Sequence, residues 1–121
     1  MDIVTFRDYC LQLPGTTEDF PFDEQTLVFK VKGKMFALTN VDHFASFNAK
    51  ATPEDCIALR EQYSSITPGY HMNKKHWNTI TLDGSVPDAV MTTLLKNSYD
   101  LVVGGLTKKQ REELKQDRGL H

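Results

Sequence analysis

The stretch TLVFKVKGKMFALTNV, residues 26–41, decides the fold. Its first six and last seven residues are dominated by aliphatic, aromatic and β-branched side chains, which favour strands. The intervening Lys32-Gly33-Lys34 is typical of a tight turn, so the stretch predicts a β-hairpin. A second turn at Asp42-His43 leads into a third strand, FASFNA, at residues 44–49. Together the three strands predict an antiparallel meander.

One helix is predicted before the meander in the sequence and another after it. Residues 3–13 place apolar side chains at helical spacing, with Asp2 as the cap and Pro14-Gly15 as the stop. The second helix begins at Thr52-Pro53, where Thr52 can accept a bond from a free amide and proline suits the first helical position. It is expected to end near Tyr63 and to bury Cys56 on its inner face.

The C-terminal half predicts a strand at residues 77–82 and two further helices. Ser85 is expected to cap a long helix that ends at Gly104-Gly105. The last helix starts at Thr107, where Gln110 completes a capping box. The pattern as a whole is α+β, with helices packed against an antiparallel sheet. All 121 residues fit one domain, and residues 116–121 are expected to fray.

Two stretches carry no predicted regular structure. Residues 16–25 hold four acidic side chains and no basic one, and we expect an ordered acidic loop pinned by Phe20 and Phe22. Residues 64–76 form a polar connector before the strand at 77–82. If the acidic loop lies beside the lysines of the hairpin, it will largely cancel their charge.

Composition and motifs exclude several classes of function. The net charge of −2 rules out a globally basic nucleic-acid binder. Cys10 and Cys56 have no closely spaced partner, so they are expected to be buried thiols rather than a zinc or redox motif. No secretory leader, membrane span, phosphate loop or nucleophile elbow is visible, which predicts a cytoplasmic, non-enzymatic protein without cofactor or metal.

Two segments are candidate nucleic-acid-binding sites. The first hairpin carries Lys30, Lys32 and Lys34, whose ammonium groups are suited to phosphate contacts. The segment HMNKKHW, residues 71–77, gives a second basic region with polar side chains that could reach a base edge. Its candidate contact residues are His71, Asn73, Lys74, Lys75 and His76.

Each of these features has a structural alternative. Lysines on a hairpin also serve solubility and protect exposed strands from pairing with other chains. Asn73 and His76 could instead bond backbone groups of an irregular segment, and Trp77 is more often a packing residue than a base-stacking platform. His71 and His76 lack the spacing and the intervening glutamate of a zincin motif, although a metal site built from distant residues stays open.

Several motifs together resemble the MmcQ/YjbR family of bacterial proteins. They are HMNKKHW at residues 71–77, a strand ending in Asp83-Gly84, the helix start Val86-Pro87 and the pair Ser98-Tyr99. The resemblance spans about residues 3–115 and implies a frataxin-like (CyaY-like) α+β fold. It also implies DNA binding by a double-wing arrangement of two hairpins and supplies no catalytic residue or cofactor. Trp77, Asp83 and Gly84 match the motif and are expected to be structural.

These observations predict a small monomeric module with DNA as its leading partner. The rival hypothesis is a protein-interaction module that uses the sheet surface or the aromatic residues Phe20 and Phe22. The two differ in an observable property, since phosphate contacts weaken steeply with salt and an apolar interface does not.

Overall fold

The computed structural model describes residues 1–69 and 72–119, with side chains described up to residue 116. Within these described ranges, four helices and six strands follow one another. In order they are α1 (Ile3–Gln12), β1 (Thr16–Asp19), β2 (Thr26–Val31), β3 (Lys34–Asn40), β4 (Ser46–Lys50), α2 (Pro53–Gln62), β5 (Ile66–Pro68), β6 (Trp77–Thr81), α3 (Asp88–Gly104) and α4 (Lys108–Gly119).

The strands form one antiparallel sheet in the order β1-β2-β3-β4-β6-β5. The first four are neighbours along the chain as well as in space, as the meander prediction requires. The chain then crosses through α2 and returns as β5 and β6, with β6 paired to β4. The fold is therefore α+β, as the sequence predicts.

Helices α1 and α3 cover one face of the sheet, and four phenylalanines fill the space beneath them. The ring of Phe6 on α1 lies 5.6 Å from that of Phe29 and 5.2 Å from that of Phe47. The opposite face of the sheet, called the open face below, carries a smaller cluster of Val28, Leu38 and Trp77. The apolar area buried on both faces supplies the main driving force for folding.

The predicted helix caps are confirmed at three of the four helices. Asp2 accepts a hydrogen bond from the Thr5 amide at 2.8 Å, and Thr52 accepts one from the Asp55 amide at 3.2 Å. Thr107 and Gln110 form the reciprocal bonds of a capping box, both at 3.1 Å. Helix α4 continues to Gly119, and fraying from residue 116 stays a prediction.

The predicted cap of α3 is wrong. This helix begins at Asp88, directly after Pro87, and no side chain caps its first turn. Ser85 belongs instead to the preceding turn, where its hydroxyl bonds Asp83 at 2.6 Å and Ser65 at 2.7 Å. Pro87 takes the N-cap position with extended backbone (φ −61°, ψ 147°), and Ser85, two residues earlier, bonds within the turn instead.

The acidic loop and the polar connector each contain a strand that the sequence analysis missed. Residues 16–19 pair with β2 as the edge strand β1, and residues 66–68 pair with β6 as the other edge strand, β5. The remaining loop is ordered by Asp23, which accepts bonds from the Gln25 and Thr26 amides, and not by aromatic packing. Phe20 and Phe22 are 47% and 66% exposed.

Both cysteines are free and buried, as predicted. Burial raises the pKa of the Cys10 thiol to about 12 and also raises that of Cys56. Because the thiolate is the reactive form, both side chains act here as small packing groups.

Candidate nucleic-acid interface

The register of the sheet brings the two basic segments of the sequence to one end of it. The turn at 32–33 joins β2 to β3, so Lys34 lies where β3 begins. Lys50 pairs with Trp77, which places the end of β4 beside the start of β6 and its preceding turn. The hairpin turn and residues 73–76 therefore share this end of the sheet, although they are more than 35 residues apart in the sequence.

Four lysines at this end keep their charge unneutralised. Lys34, Lys74 and Lys75 are exposed and Lys50 is half-buried. Within the described ranges, to residue 69 and from 72 to 116, none of the four makes an ion pair. We call this group the basic end: Lys34, Lys50, Lys74 and Lys75.

The other two lysines of the predicted hairpin site are partly neutralised. Lys30 lies 3.5 Å from Asp19 of β1, and Lys32 lies 3.0 Å from Glu113 of α4. The bond from Lys32 lowers the pKa of the Glu113 carboxyl. Both pairs are partly exposed, so each contributes little stability, and a phosphate could compete for either lysine.

The acidic side chains of residues 18–24 leave the basic end largely uncancelled. Asp23 and Glu24 precede β2, whereas the lysine turn follows it, and six residues of strand separate the two ends by about 20 Å. That distance is about two and a half Debye lengths at physiological salt, where one Debye length is about 8 Å. Glu18 is bound to Arg7 of α1 at 2.5 Å, so Asp19 is the member of the group that reaches a lysine of the hairpin.

Arg60 of α2 fixes the turn that carries Lys74 and Lys75. Its guanidinium donates to the Lys74 carbonyl, to the Trp77 carbonyl at 3.3 Å and to Asn78 Oδ1 at 2.7 Å. Asn78 is fully buried and donates in turn to the Cys56 carbonyl at 3.4 Å. One side chain therefore ties α2, β6 and the turn together, and it fixes the backbone that carries the two lysines.

The remaining residues of the HMNKKHW segment have mainly structural contacts. Asn73 is exposed, and its Oδ1 accepts the Lys75 amide at 2.9 Å, which tightens the turn. The carbonyl of half-buried His76 accepts the Ala51 amide at 2.9 Å. Trp77 is 7% exposed and packs with Val28 and Leu38 on the open face. His71 lies outside the described residues.

The backbone at Gly69 lies directly against Trp77, and only glycine fits there. The glycine is buried, and a Cβ atom added to it would lie 2.8 Å from Trp77 Cβ and 3.0 Å from Met72 Cβ. Its amide donates to the Trp77 carbonyl at 2.8 Å. A residue without a side chain is required at this position because the backbone approaches the tryptophan directly.

Asp83 and Gly84 form a turn at the far end of β6. Asp83 Oδ1 accepts the Ser85 amide at 2.9 Å and the Ser85 hydroxyl at 2.6 Å. These bonds lower the pKa of the Asp83 carboxyl, the hydroxyl contributing most. Gly84 has φ +86°, a conformation that favours glycine. The pair therefore has a local structural role, distant from the basic end.

Lys50 is the member of the basic end that the sequence analysis missed. Phe47 and Ala49 face the helices, so strand alternation puts Lys50 on the open face with Asn48. That alternation was readable in the sequence. Its proximity to Lys74 depends on the pairing of β4 with β6, which the sequence alone does not reveal.

Among residues 1–69 and 72–119, no cluster of three or more histidine, cysteine or acidic residues is arranged to hold a metal ion. Over the same described ranges, no helix has the length and apolar character needed to cross a membrane.

Comparison with known proteins places this α+β domain in a family. The YjbR family model matches residues 11–101. YjbR of Escherichia coli K12 is 34% identical over 117 residues, which cover 96% of this chain and 99% of YjbR. YbdF of Escherichia coli O157:H7 is 35% identical over 112 residues, 92% of each chain. The chain belongs to the YjbR family.

Solved structures agree with this assignment. The crystal structure of Deinococcus radiodurans DR2400, with a domain of the family model DUF419, superposes with a TM-score of 0.88 at 46% identity and covers 93% of this chain and 87% of its own. A Pseudomonas syringae protein superposes with a TM-score of 0.71 at 29% identity, covering 84% of this chain and 98% of its own. None of these names states an activity, so the relatives establish family and fold.

Proposed function

We propose that this protein is a non-catalytic DNA-binding module that contacts the phosphate backbone through the basic end. The observation that carries the proposal is the convergence of Lys34, Lys50, Lys74 and Lys75 at one end of the sheet without ion-pair partners in the described ranges. Unneutralised lysines on a fixed surface are what phosphate recognition needs, because binding releases the counterions of the nucleic acid.

The arrangement supports contact with a duplex in particular. The β2–β3 turn and the turn at residues 73–76 stand on either side of Lys50, so two projections flank a central cation. This disposition resembles two wings that straddle a double helix. Lysines fix register on the backbone and read no sequence, so we expect weak sequence preference.

Rigidity of the second turn also favours this function. Arg60 and the Asn73 bond hold the backbone around Lys74 and Lys75 in one conformation. A preorganised cation loses less conformational entropy on binding than one on a mobile loop. Lys30 and Lys32 lie at the same hairpin and could join the interface after exchanging Asp19 and Glu113 for phosphates.

The proposal is tested by removing single lysines and measuring how duplex affinity depends on salt. Lys34→Ala and Lys74→Ala should each weaken binding and reduce the slope of log K against log salt by about one. Lys96→Ala is the matched control, because Lys96 pairs with Asp100 on α3 and not with the basic end. Equal binding by all three variants and the wild type would exclude the basic end as the interface.

A protein-binding role is the second candidate, and a different observation favours it. Phe20 and Phe22, 47% and 66% exposed, lie in the loop before β2, at the other end of the sheet from the lysines. Exposed aromatic residues are common anchors of protein interfaces. Phe22→Ser should abolish such an interaction and leave DNA binding unchanged, whereas Lys34→Ala should do the reverse.

A further inference from the structure

A cleft of about 810 Å³ opens between α2 and α3, on the face of the sheet opposite Trp77. Its floor includes Ala49 of β4 and Ile80 of β6. Each helix presents one stripe to it, spaced three or four residues apart as on one helical face. On α2 the stripe includes Asp55, Leu59 and Gln62, and on α3 it includes Val90, Leu94 and Asp100.

The cleft has the dimensions of a small-molecule site. Such sites commonly enclose roughly 300–1,000 Å³ and are lined mainly by apolar side chains with a few polar groups. The α3 stripe from Val90 to Leu101 is about 16 Å long at the rise of an α-helix. This length accommodates a ligand with an extended apolar body.

The two ends of the cleft differ in polarity. At one end Tyr63 and Val90 lie near each other, since Ser65 and Ser85 just outside them are hydrogen-bonded at 2.7 Å. At the other end are Asp55, Asn97 and Asp100, because the neighbouring Ser98 is bonded to the Lys50 amide. A ligand that fits both ends has an apolar body and a polar head.

The charge at the polar end is negative. Lys50 is one of the lining residues, and strand alternation turns its side chain to the open face. Asp100 is bound to Lys96 at 2.5 Å, whereas Asp55 makes no ion pair with any residue whose side chain the structure describes. Asp55 is therefore the group that selects the charge of a ligand head.

We propose that this cleft binds small apolar amines, with the ammonium group at Asp55 and the hydrocarbon body against Leu59, Ile80 and Leu94. Complementary charge at the head distinguishes an amine from a fatty acid of the same length, whose carboxylate would face Asp55 and Asp100. The apolar body adds affinity in proportion to the area it buries. The cleft adjoins the basic end at Lys50 but lies on the other face of the sheet, and the proposal does not depend on DNA binding.

The test uses hexylamine, hexanol and hexanoate as probes of equal chain length, with protein amide shifts followed by NMR. Hexylamine should shift amides that line the cleft, with millimolar affinity, and should bind more tightly than either of the other two. Asp55→Asn should weaken hexylamine about fivefold, a loss of about 1 kcal/mol. Ala58→Leu, which fills the cleft from an exposed position, should abolish the shifts.

Glu54→Gln is the matched control, because Glu54 also lies in the first turn of α2 but does not line the cleft. It should bind hexylamine as the wild type does. Equal affinity for the three probes would show an apolar groove without selection for amines and would overturn the proposal. The absence of shifts in the cleft, or an equal loss in Glu54→Gln and Asp55→Asn, would overturn it too.

Discussion

The hydroxyl of Ser98 connects α3 to the Lys50 amide across the end of the sheet. Ser98 Oγ accepts that amide at 2.8 Å and donates to the Phe36 carbonyl at 2.5 Å. The pairing of β3 with β4 ends at Ala37 and Ala49. Beyond this pair the Ser98 hydroxyl bridges the two strands by bonding the Phe36 carbonyl and the Lys50 amide. A fully buried hydroxyl thus positions the backbone of one lysine of the basic end.

Removing this hydroxyl should destabilise the whole domain. Ser98→Ala leaves a buried amide and a buried carbonyl without their partner, and we expect a loss of about 2–3 kcal/mol in the free energy of unfolding. Urea unfolding measures the loss. Thr92→Ala is the control on the same helix: it removes a solvent-exposed hydrogen bond from the Thr92 hydroxyl to the Ala89 carbonyl and should cost about 0.5 kcal/mol or less in the free energy of unfolding. Equal stabilities of the two variants would contradict this role.

Two glycines with nearly the same positive φ should respond differently to alanine. Gly15 has φ +74° and Gly33 has φ +76°, so both substitutions incur about 1 kcal/mol of left-handed strain. At Gly15 the added Cβ would also lie 2.3 Å from Leu114 Cδ1, whereas at Gly33 it meets nothing within 4 Å.

Gly15→Ala should therefore push the buried Leu114 side chain out of its place, which loosens the packing of α4, in addition to straining the turn. Hydrogen exchange should show faster exchange in residues 108–116 of Gly15→Ala and wild-type exchange there in Gly33→Ala. Unchanged protection of α4 in Gly15→Ala would mean that Leu114 does not anchor this helix.

Arg60 should govern the order of the turn that carries Lys74 and Lys75. In Arg60→Ala, Oδ1 of the buried Asn78 and the Lys74 carbonyl lose their Arg60 donor, whereas the Trp77 carbonyl keeps the Gly69 amide as a donor. We expect a stability loss of about 2 kcal/mol and faster amide exchange at His76 and Trp77. Arg7→Ala breaks an exposed pair with Glu18 and should cost less than about 1 kcal/mol. Wild-type exchange in Arg60→Ala would rule out this anchoring.

The turn at Asp83 should make stability depend on pH. Its carboxyl has a pKa below the ordinary value of 3.8 in the folded protein, so ionisation favours folding above that value and the benefit is lost as pH falls through the folded pKa. Asp83→Asn should therefore lower Tm at neutral pH, with the difference from wild type shrinking below about pH 3.8. Ser85→Ala, which removes the main donor, should weaken the same dependence. A constant difference in Tm across this range would contradict the assignment.

The long elements of the fold were predictable because their signals are local. Caps at Asp2 and Thr52 and the turn of the central hairpin mark their own boundaries. The edge strands β1 and β5 were not predictable, since TTED and ITP carry no apolar alternation and become strands by pairing with β2 and β6. Tertiary context decides such short strands.

The candidate site was predicted in its residues except for Lys50, and not in its assembly. The lysines at 30–34 and 74–75 are visible in the sequence. They lie at the same end of the sheet because β6 pairs with β4 as well as with β5, and this pairing could not be read from the sequence. The role of Arg60 could not be foreseen, because a helix arginine has many possible partners and its contacts arise from how α2 packs on β6. The neutralising contact of Glu113 likewise requires knowing where α4 lies.

Fluorescence anisotropy of a labelled DNA duplex, titrated with the wild-type protein at about 50 and 200 mM salt, tests the central claim most directly. Four phosphate contacts from the basic end predict saturable binding at the lower salt and a fall in affinity of about a hundredfold at the higher. No saturable binding at low salt, or binding that is unchanged across this range, would contradict DNA recognition by these lysines.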